Sequence, residues 1–343
     1  MKKVVIIGGG FAGSYAAKKL QRDFDVTLID TKDYFEFTPS ILRTIVEPKH
    51  IKKIQVLHRH YLPHARIVTA EVNDVTTTDV LTTKQKIAYD YLIISSGSSY
   101  TTPIKEKNTV IANRAATLRN YTHILTKAKK VLIIGGGLVG VELAAEIVDC
   151  YPGKEVTIIH AHENLITRHH PKAVRHAQRF LQQKGVTIIY NQRMVENKDG
   201  YCFTNKGVCI EHDIIFICTG IKANSSFLHH NFSAIVNQKQ QLKVNNYLQV
   251  LNYQTIFAAG DITDRKEEKT AQNAEMQAAL IVRNIFHVER KEKLEQYHSA
   301  ERPMVISLGK RNGIFTYKNI VITGIIPAFL KTMIEWKTMR RYK

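Results

Sequence analysis

The fold is decided by a segment that occurs twice: residues 3–30 read KVVIIGGGFAGSYAAKKLQRDFDVTLID, and residues 130–160 read KVLIIGGGLVGVELAAEIVDCYPGKEVTIIH. Each copy predicts a β-strand, a glycine-rich turn, an α-helix and a second β-strand. The strands are continuously apolar, which is typical of parallel strands covered on both faces. We therefore expect two right-handed βαβ units and an α/β fold with two Rossmann-like dinucleotide-binding domains.

Three further apolar segments end in a strand-terminal glycine or Gly-Asp and predict short strands: residues 91–97, 213–220 and 255–261. Such strands stop at the carboxyl edge of a sheet, where open α/β folds bind their ligands. Residues 255–261 follow the second βαβ unit along the chain, and we expect them to return to the first sheet. The second domain is then inserted in the first.

These segments predict three regions. Residues 1–111 and 241–297 form the first dinucleotide-binding domain, and residues 112–240 form the second. Residues 298–343 differ from both, because they alternate like a β-meander and end in a basic, amphipathic helical segment. We expect them to form a small C-terminal α+β region that serves as an interface or associates with a membrane.

The first glycine turn has the G-x-G-x-x-G spacing of a dinucleotide site. Gly8, Gly10 and Gly13 form the pattern, Ala12 lies inside it, and Asp30 ends the next strand. The glycines allow a tight turn, close approach of a pyrophosphate and close helix–strand packing, and the carboxylate accepts hydrogen bonds from a ribose diol. The helix N-terminus favours the phosphate charge. This unit is expected to bind a dinucleotide.

The second glycine turn repeats the spacing with Gly135, Gly137 and Gly140, but its second strand ends in His160. The acidic residue that normally excludes a 2′-phosphate is therefore missing at that position. Basic side chains follow it, namely His162, Arg168, His169 and His170. Use of NADH, NADPH or both stays open, as does the alternative that Glu163 reaches back to the ribose.

Two fingerprints in one chain imply two dinucleotides, with FAD as the resident cofactor and a nicotinamide as the diffusing reductant. Gly97 and Gly260 end strands at the ligand edge, and Asp261 can hydrogen-bond the sugar-alcohol chain of a flavin. A helix from about Thr270 either directs its N-terminus at the flavin ring or is a plain amphipathic core helix. FAD is expected in the first domain and the nicotinamide in the second.

Charge and cysteine content narrow the setting. The 343 residues include 49 Lys and Arg against 30 Asp and Glu, a net charge of +19, which favours anionic partners or reflects a generally basic, self-repelling surface. The four cysteines form no C-x-x-C pair, and we interpret them as reduced thiols in a reducing, cytoplasmic compartment. No apolar run reaches the roughly 18 residues of a membrane span.

The histidines lack the Cys or carboxylate spacing of a metal site, so no metal is expected, and no Ser/His/Asp triad stands out. We interpret the histidines of this group as solvated surface residues: His60, His160, His162, His169 and His170.

Together, the two fingerprints and the strand TIFAAGD (residues 255–261) resemble the pyridine nucleotide–disulfide oxidoreductase superfamily. Four stretches resemble its apoptosis-inducing-factor-like, ferroptosis-suppressor-type branch and, more distantly, type II NADH dehydrogenases. They are LRTIVE (42–47), CTGIKANSS (218–226), LKVNNYLQV (242–250) and WKTMR (336–340). The resemblance implies non-covalent FAD and NAD(P)H-dependent reduction of ubiquinone-like quinones at a membrane surface.

The resemblance also implies site residues. The glycines of the first fingerprint, Asp30, Arg43 and Asp261 would contact FAD, and those of the second fingerprint, with Glu142, would line the nicotinamide site. Glu142 lies in the first turn of the helix, where it would orient the nicotinamide over the flavin as the candidate catalytic residue. The alternative is a carboxylate that only complements the helix dipole.

Two departures from the family matter. The redox-active cysteine pair of the disulfide reductases is absent, which argues against disulfide exchange. Lys2 follows Met1, whereas N-myristoylation requires glycine there, so this lipid anchor is not expected.

Two apolar stretches are candidates for the acceptor side. One contains Phe35, Phe37, Pro39, Ile41 and Leu42, and the other contains Ile325, Ile326, Phe329, Leu330, Ile334 and Trp336. The second is mixed with Lys331, Lys337, Arg340, Arg341 and Lys343, which suits an anionic bilayer surface or a lipid droplet. The alternatives are packing on the flavin domain and an oligomer interface.

Two other functions stay open at this point. A basic surface would also suit an acidic soluble carrier such as ferredoxin. A non-enzymatic, redox-sensing effector that binds nucleic acid has only bulk charge in its favour, because neither an RGG tract nor a helix-turn-helix pattern is present.

Overall fold

The computed structural model describes residues 1–100, residue 104 and residues 111–343, with the backbone alone described for residues 111–113. The α-helices of these residues are α1 (Phe11–Leu20), α2 (Ile41–Val46), α3 (Ile51–Ile54), α4 (His58–Tyr61), α5 (Ile111–Lys127), α6 (Leu138–Cys150), α7 (Pro171–Gln183), α8 (Ala271–Arg290) and α9 (Ile325–Arg340).

The strands of the described residues are β1 (Lys3–Ile7), β2 (Asp25–Asp30), β3 (Tyr34–Glu36), β4 (Gln55–Leu57), β5 (Arg66–Thr69), β6 (Val72–Val75), β7 (Asp79–Thr82), β8 (Lys86–Ala88), β9 (Tyr91–Ile94), β10 (Ser98–Ser99), β11 (Lys130–Ile134), β12 (Glu155–Ile159), β13 (Thr187–Ile189), β14 (Met194–Lys198), β15 (Tyr201–Thr204), β16 (Cys209–Glu211), β17 (Ile214–Ile217), β18 (Lys222–Ala223), β19 (Ile256–Ala258), β20 (Met304–Ser307), β21 (Gly313–Tyr317) and β22 (Ile320–Thr323).

The first predicted βαβ unit forms part of a five-stranded parallel sheet with the order β19-β9-β1-β2-β5. The last strand of this sheet along the chain is β19. It follows the second βαβ unit in sequence but returns to pair with β9 of the first sheet. The helix α1 buries Ala12, Ala16 and Ala17 and packs against α8. These small side chains let the two helices approach closely on one face of the sheet.

The second predicted βαβ unit forms a four-stranded parallel sheet with the order β13-β12-β11-β17. The strands β11 and β12 pair from Lys130 opposite Glu155 to Ile134 opposite Ile159. The helix α6 connects them and buries a row of apolar residues that includes Leu143, Ala144 and Ala145. A short antiparallel pair, β10 with β18, joins the segments that follow the carboxyl ends of β9 and β17.

The C-terminal region is α+β, as the alternating pattern predicts. The strands β20, β21 and β22 form an antiparallel meander, and α9 packs on this meander and on α3. Near the chain end, Tyr342 is buried against the first domain, where it stacks on Phe35 with 4.3 Å between ring centroids. No helix of the described residues has the length and apolar character needed to cross a bilayer.

Candidate dinucleotide sites and cleft

A cleft of about 3060 Å³ runs along the carboxyl edges of both parallel sheets. The predicted site residues that line it are Gly8, Gly10, Ala12, Asp30, Gly97, Gly135, Gly137, Glu142, Gly260 and Asp261. Three predicted residues do not line it, namely Gly13, Arg43 and Gly140. The tertiary structure therefore brings most of the candidates from distant parts of the chain to one continuous site.

The first fingerprint has the geometry that a pyrophosphate requires. Gly8 has a φ of +98°, which favours glycine, and it makes the turn from β1 into α1. A Cβ on Gly13 would lie 1.8 Å from the carbonyl oxygen of Gly8, so this glycine serves helix–strand packing. A Cβ on Gly10 would meet no protein atom within 4 Å, which leaves the helix N-terminus open to a phosphate.

Asp30 is held as a buried anion beside this turn. Its Oδ2 accepts a hydrogen bond from the Gly9 amide at 2.5 Å, and its Oδ1 accepts one from the Lys32 amide at 2.9 Å. Burial alone would raise the pKa of Asp30, but the nearby His58 ring and the charge of Lys32 outweigh it and lower the pKa. The carboxylate is thus ionised and held beside the glycine turn, at the wall of the cleft.

Behind Asp30 lies a buried polar network that sequence reasoning missed. His58 is fully buried, and its Nε2 lies 3.8 Å from Oδ2 of Asp30. Its Nδ1 lies 2.6 Å from the Tyr61 hydroxyl, which is 2.7 Å from Oγ of Ser14. The Tyr61 ring contacts Tyr342 at 4.9 Å between centroids. Tyr342 at the chain end therefore packs against the residues that support Asp30, and no local sequence pattern indicates this contact.

We expect Asp30→Ala to lower FAD affinity roughly 10- to 100-fold, because hydrogen bonds to a charged group are stronger than neutral ones. The measurement is the flavin-to-protein absorbance ratio after dialysis, followed by titration with FAD. Asp25→Ala is the matched control, since Asp25 is exposed at the opposite end of β2. Equal flavin content in both variants would contradict the role given to Asp30.

The second fingerprint repeats the first in detail. Gly135 has a φ of +108°, a Cβ on Gly140 would lie 1.9 Å from the carbonyl oxygen of Gly135, and Gly137 faces open space. Nδ1 of His160 accepts a hydrogen bond from the Gly136 amide at 3.1 Å, as Asp30 does from Gly9. The second turn therefore has the same backbone geometry as the first.

The interpretation of His160 as a solvated surface histidine is wrong. Its exposed fraction is 8%, because it ends a buried strand, and its Nε2 lies 3.0 Å from the Asn164 carbonyl oxygen. Glu163 is exposed and is absent from the lining of the cleft, so the alternative of a carboxylate that reaches back to the ribose finds no support.

Glu142 lines the cleft and lies in the second turn of α6, not in the first turn that the sequence predicted. Its Oε1 accepts hydrogen bonds from the Ser307 amide at 2.7 Å and from Nζ of Lys331 at 3.0 Å. Both charged side chains are only 14% exposed. Lys331 comes from α9, 189 residues further along the chain, and its position inside an apolar helical run carried no signal of this role.

Arg43, which the resemblance assigns to FAD, contacts α6 and the C-terminal region in this structure. Its guanidinium donates to Glu146 on α6, with Nη2 2.9 Å from Oε1, and it also donates to the Gly309 carbonyl at 3.3 Å. It is absent from the cleft lining, because Glu146 is a buried carboxylate that needs a cation. In this structure Arg43 therefore joins the first domain to α6 and to the C-terminal meander.

The flavin-side candidates lie at the start of α8. Asp261 Oδ2 accepts a hydrogen bond from the Ser98 hydroxyl at 2.5 Å, and the Gly260 amide donates to the Gln277 side chain at 2.7 Å. Thr270 caps α8 by accepting from the Asn273 amide at 3.2 Å. Thr270 and the first residues of α8 line the cleft, so this helix N-terminus faces the site.

The cysteines are all free, and Cys218 alone among them lines the cleft. Burial raises the pKa of the Cys218 thiol to about 12, so it stays protonated and is a poor nucleophile. Among the described residues, no group of three or more His, Cys, Asp or Glu side chains is arranged to hold a metal ion.

The profile of the family described as pyridine nucleotide-disulphide oxidoreductase matches residues 2–278. The chain belongs to this family. Among curated relatives, Apoptosis-inducing factor homolog B of Dictyostelium discoideum is 31% identical and covers 98% of this chain and 94% of its own length. Ferroptosis suppressor protein 1 of Taeniopygia guttata is 30% identical and covers 98% and 95%. The predicted branch is confirmed.

Two solved structures share the fold along the whole chain. NDH2 from Plasmodium falciparum in complex with NADH has a TM-score of 0.82 at 15% identity, covering 99% of this chain and 98% of its own. The sulfide:quinone oxidoreductase of Aquifex aeolicus has a TM-score of 0.82 at 19% identity, covering 100% and 91%. With its two fingerprints, this chain is an NAD(P)H-oxidising flavoenzyme with FAD and a nicotinamide as cofactors.

Proposed function

We propose that this protein is an FAD-dependent NAD(P)H:quinone oxidoreductase that works at an anionic membrane surface. The observation that carries the proposal is the continuity of the cleft from both glycine turns to the inner face of α9. Apolar side chains line its far part, namely Phe37, Pro39, Ile41, Leu42, Leu330 and Ile334. Such a wall suits a quinone ring better than a polar substrate.

The residues fit the two dinucleotides by their backbone geometry. Gly10 and Gly137 leave open space at two helix N-termini, where each pyrophosphate would lie, and Asp30 would hold the ribose of FAD. Asp261 and the N-terminus of α8 would hold the flavin side. When bound, FAD supplies hydride acceptance from a nicotinamide and two-electron delivery to an acceptor.

Glu142 would orient the nicotinamide carboxamide, which can donate a hydrogen bond to its free oxygen. Lys331 is a positioning residue. Its ammonium nitrogen lies 3.0 Å from Oε1 of Glu142 and holds this carboxylate from the side of the cleft where the acceptor would bind. The Ser307 amide fixes the same oxygen from the meander. These three groups connect the nicotinamide helix α6 with the C-terminal region.

The outer face of α9 supports the membrane part of the proposal. Ile325, Phe329 and Trp336 are 67%, 64% and 61% exposed, and Ile320 of the adjacent strand β22 is 55% exposed. Exposed basic residues accompany this face, namely Lys337, Arg340 and Lys343 on the chain end and Lys52 and Lys53 on the neighbouring α3. Apolar and basic groups together suit peripheral binding to an anionic bilayer or a lipid droplet. The four free cysteines suit the reducing cytoplasm.

A visible spectrum tests class and acceptor together. We expect flavin bands that NADH or NADPH bleaches under anaerobic conditions and that a short-chain ubiquinone restores. Restoration by a ferredoxin but not by the quinone would replace the quinone with a soluble carrier. Bands that no nicotinamide bleaches, combined with DNA retention at physiological salt, would instead favour a non-enzymatic effector.

A further inference from the structure

The two glycine turns hold different side chains at one equivalent position, and the difference bears on the choice of reductant. In the first unit, Oδ2 of Asp30 accepts from the Gly9 amide at 2.5 Å. In the second, Nδ1 of His160 accepts from the Gly136 amide at 3.1 Å. The side chain that would face an adenosine ribose is therefore an anion in the first unit and an imidazole in the second.

The contacts of His160 define its tautomer. Since the Gly136 amide can only donate, Nδ1 of His160 must accept and carries no proton. Since the Asn164 carbonyl can only accept, Nε2 must carry the proton and donate at 3.0 Å. Burial lowers the pKa of His160, in keeping with a neutral ring. Both nitrogens are engaged, so His160 neither repels a 2′-phosphate nor competes for the ribose.

Histidine and arginine side chains lie near this position at the rim of the cleft. The ring of His162 lies 5.3 Å from that of His160, and the backbone of residues 191–192 pairs with His160 and His162, which brings Arg193 beside them. Arg168 and His169 also line the cleft. The side chain of Arg193 forms no ion pair with any residue that the structure describes.

One carboxylate lies against Arg168. Glu268 lines the cleft, and its Oε1 lies 3.6 Å from Nη1 of Arg168. The two side chains are 79% and 40% exposed, so solvent screens this pair and it holds Arg168 only weakly. A doubly charged phosphate can displace such a partner, because guanidinium groups bind phosphate through two hydrogen bonds.

From these contacts, and resting on the proposed function, we infer that the nicotinamide site selects NADPH over NADH, with Arg168 and Arg193 as the groups that bind the 2′-phosphate. The neutral His160 permits this phosphate, and the two arginines bind it. The selection then resides in this rim and does not depend on the acceptor.

Steady-state kinetics with a short-chain ubiquinone test the inference on the full-length holoenzyme. We expect kcat/KM for NADPH to exceed that for NADH by about tenfold or more. Arg193→Ala and Arg168→Ala should each lower kcat/KM for NADPH by about tenfold and change the NADH value less than about twofold. Arg179→Ala is the charge-matched control, since Arg179 is exposed on α7 outside the cleft.

His160→Asp should reverse the preference, because an aspartate can keep the Gly136 hydrogen bond, as Asp30 does with Gly9, while it repels the 2′-phosphate. Equal or higher kcat/KM for NADH in the unaltered enzyme would overturn the inference. So would a preference for NADPH that survives loss of both arginines.

A binding measurement separates this inference from the proposed function. Calorimetry with adenosine 2′,5′-bisphosphate and with AMP compares two probes that differ only in the 2′-phosphate. We expect the bisphosphate to bind about tenfold tighter, and Arg193→Ala to remove most of the difference. This result without quinone turnover would defeat the quinone proposal and uphold the phosphate site, whereas equal binding of the two probes would overturn the site even in an active quinone reductase.

Discussion

Glu142→Gln is expected to lower kcat/KM for NAD(P)H by about 100-fold while the flavin stays bound, because misplacing a reactant by about 1 Å costs that much. The glutamine retains an oxygen that accepts from the Ser307 amide but loses the charge that holds Lys331 at 3.0 Å. The measurement is anaerobic stopped-flow bleaching of the flavin bands. The reductive step should slow, and reoxidation by quinone should not.

Two companion variants show whether Glu142 acts on the nicotinamide or only supports the fold. Glu155→Gln is the matched control, since Glu155 is exposed at the amino end of β12, away from the cleft. Lys331→Met breaks the same ion pair and leaves the Glu142 carboxylate beside the Ser307 amide. If Glu142 only supports the fold, Glu142→Gln and Lys331→Met should lower the thermal stability equally and should both change the kinetics of flavin reduction only slightly.

Replacing both Phe329 and Trp336 with glutamate is expected to abolish binding to anionic vesicles. Each large apolar side chain contributes about 2 kcal/mol on leaving water, so losing two weakens partitioning by roughly 1000-fold. The two side chains are 64% and 61% exposed and do not line the cleft, so turnover of a short-chain ubiquinone should stay unchanged. The measurement is sedimentation with phosphatidylcholine vesicles, with and without phosphatidylserine.

The chain offers a matched control on another surface. Val195 and Tyr201, on β14 and β15 of the second domain, are 64% and 45% exposed, and their replacement with glutamate removes two exposed apolar side chains from a different surface. That variant should bind vesicles like the unaltered protein. If the unaltered protein instead forms a dimer that the α9 variant dissociates, and neither binds vesicles, this face is an interface between copies.

The glycine turns and their βαβ units follow from local sequence. The return of β19 to the first sheet is instead predicted from the order of the segments along the chain. Each fingerprint spans only six residues, and contacts within the same turn require its glycines. One example is the close approach of Gly13 to the Gly8 carbonyl, which leaves no room for a Cβ. Buried parallel strands are apolar throughout, which also shows in a short window. Sequence alone therefore sufficed for the fold class, the two dinucleotides and the family.

The side-chain partners could not be predicted in this way. Glu142 meets Lys331 across 189 residues, and Arg43 meets Glu146 across 103. The sequence around a lysine in an apolar helix, or around an arginine in the flavin domain, does not show whether that side chain faces solvent, a cofactor or a carboxylate. Burial makes the choice, because a carboxylate that loses water must find a cation, and which cation lies near depends on how the elements pack.

His160 shows both levels at one residue. The sequence alone shows that the strand after the second fingerprint ends in His160 and not in an acidic residue, so it does not exclude NADPH. That the ring is buried and neutral and shares the rim with Arg193 depends on the Gly136 amide, the Asn164 carbonyl and the pairing of residues 191–192. Neighbouring residues determine the local backbone geometry of a turn, whereas the charge and tautomer of a side chain depend on the hydrogen-bond and charge partners that the tertiary fold places around it.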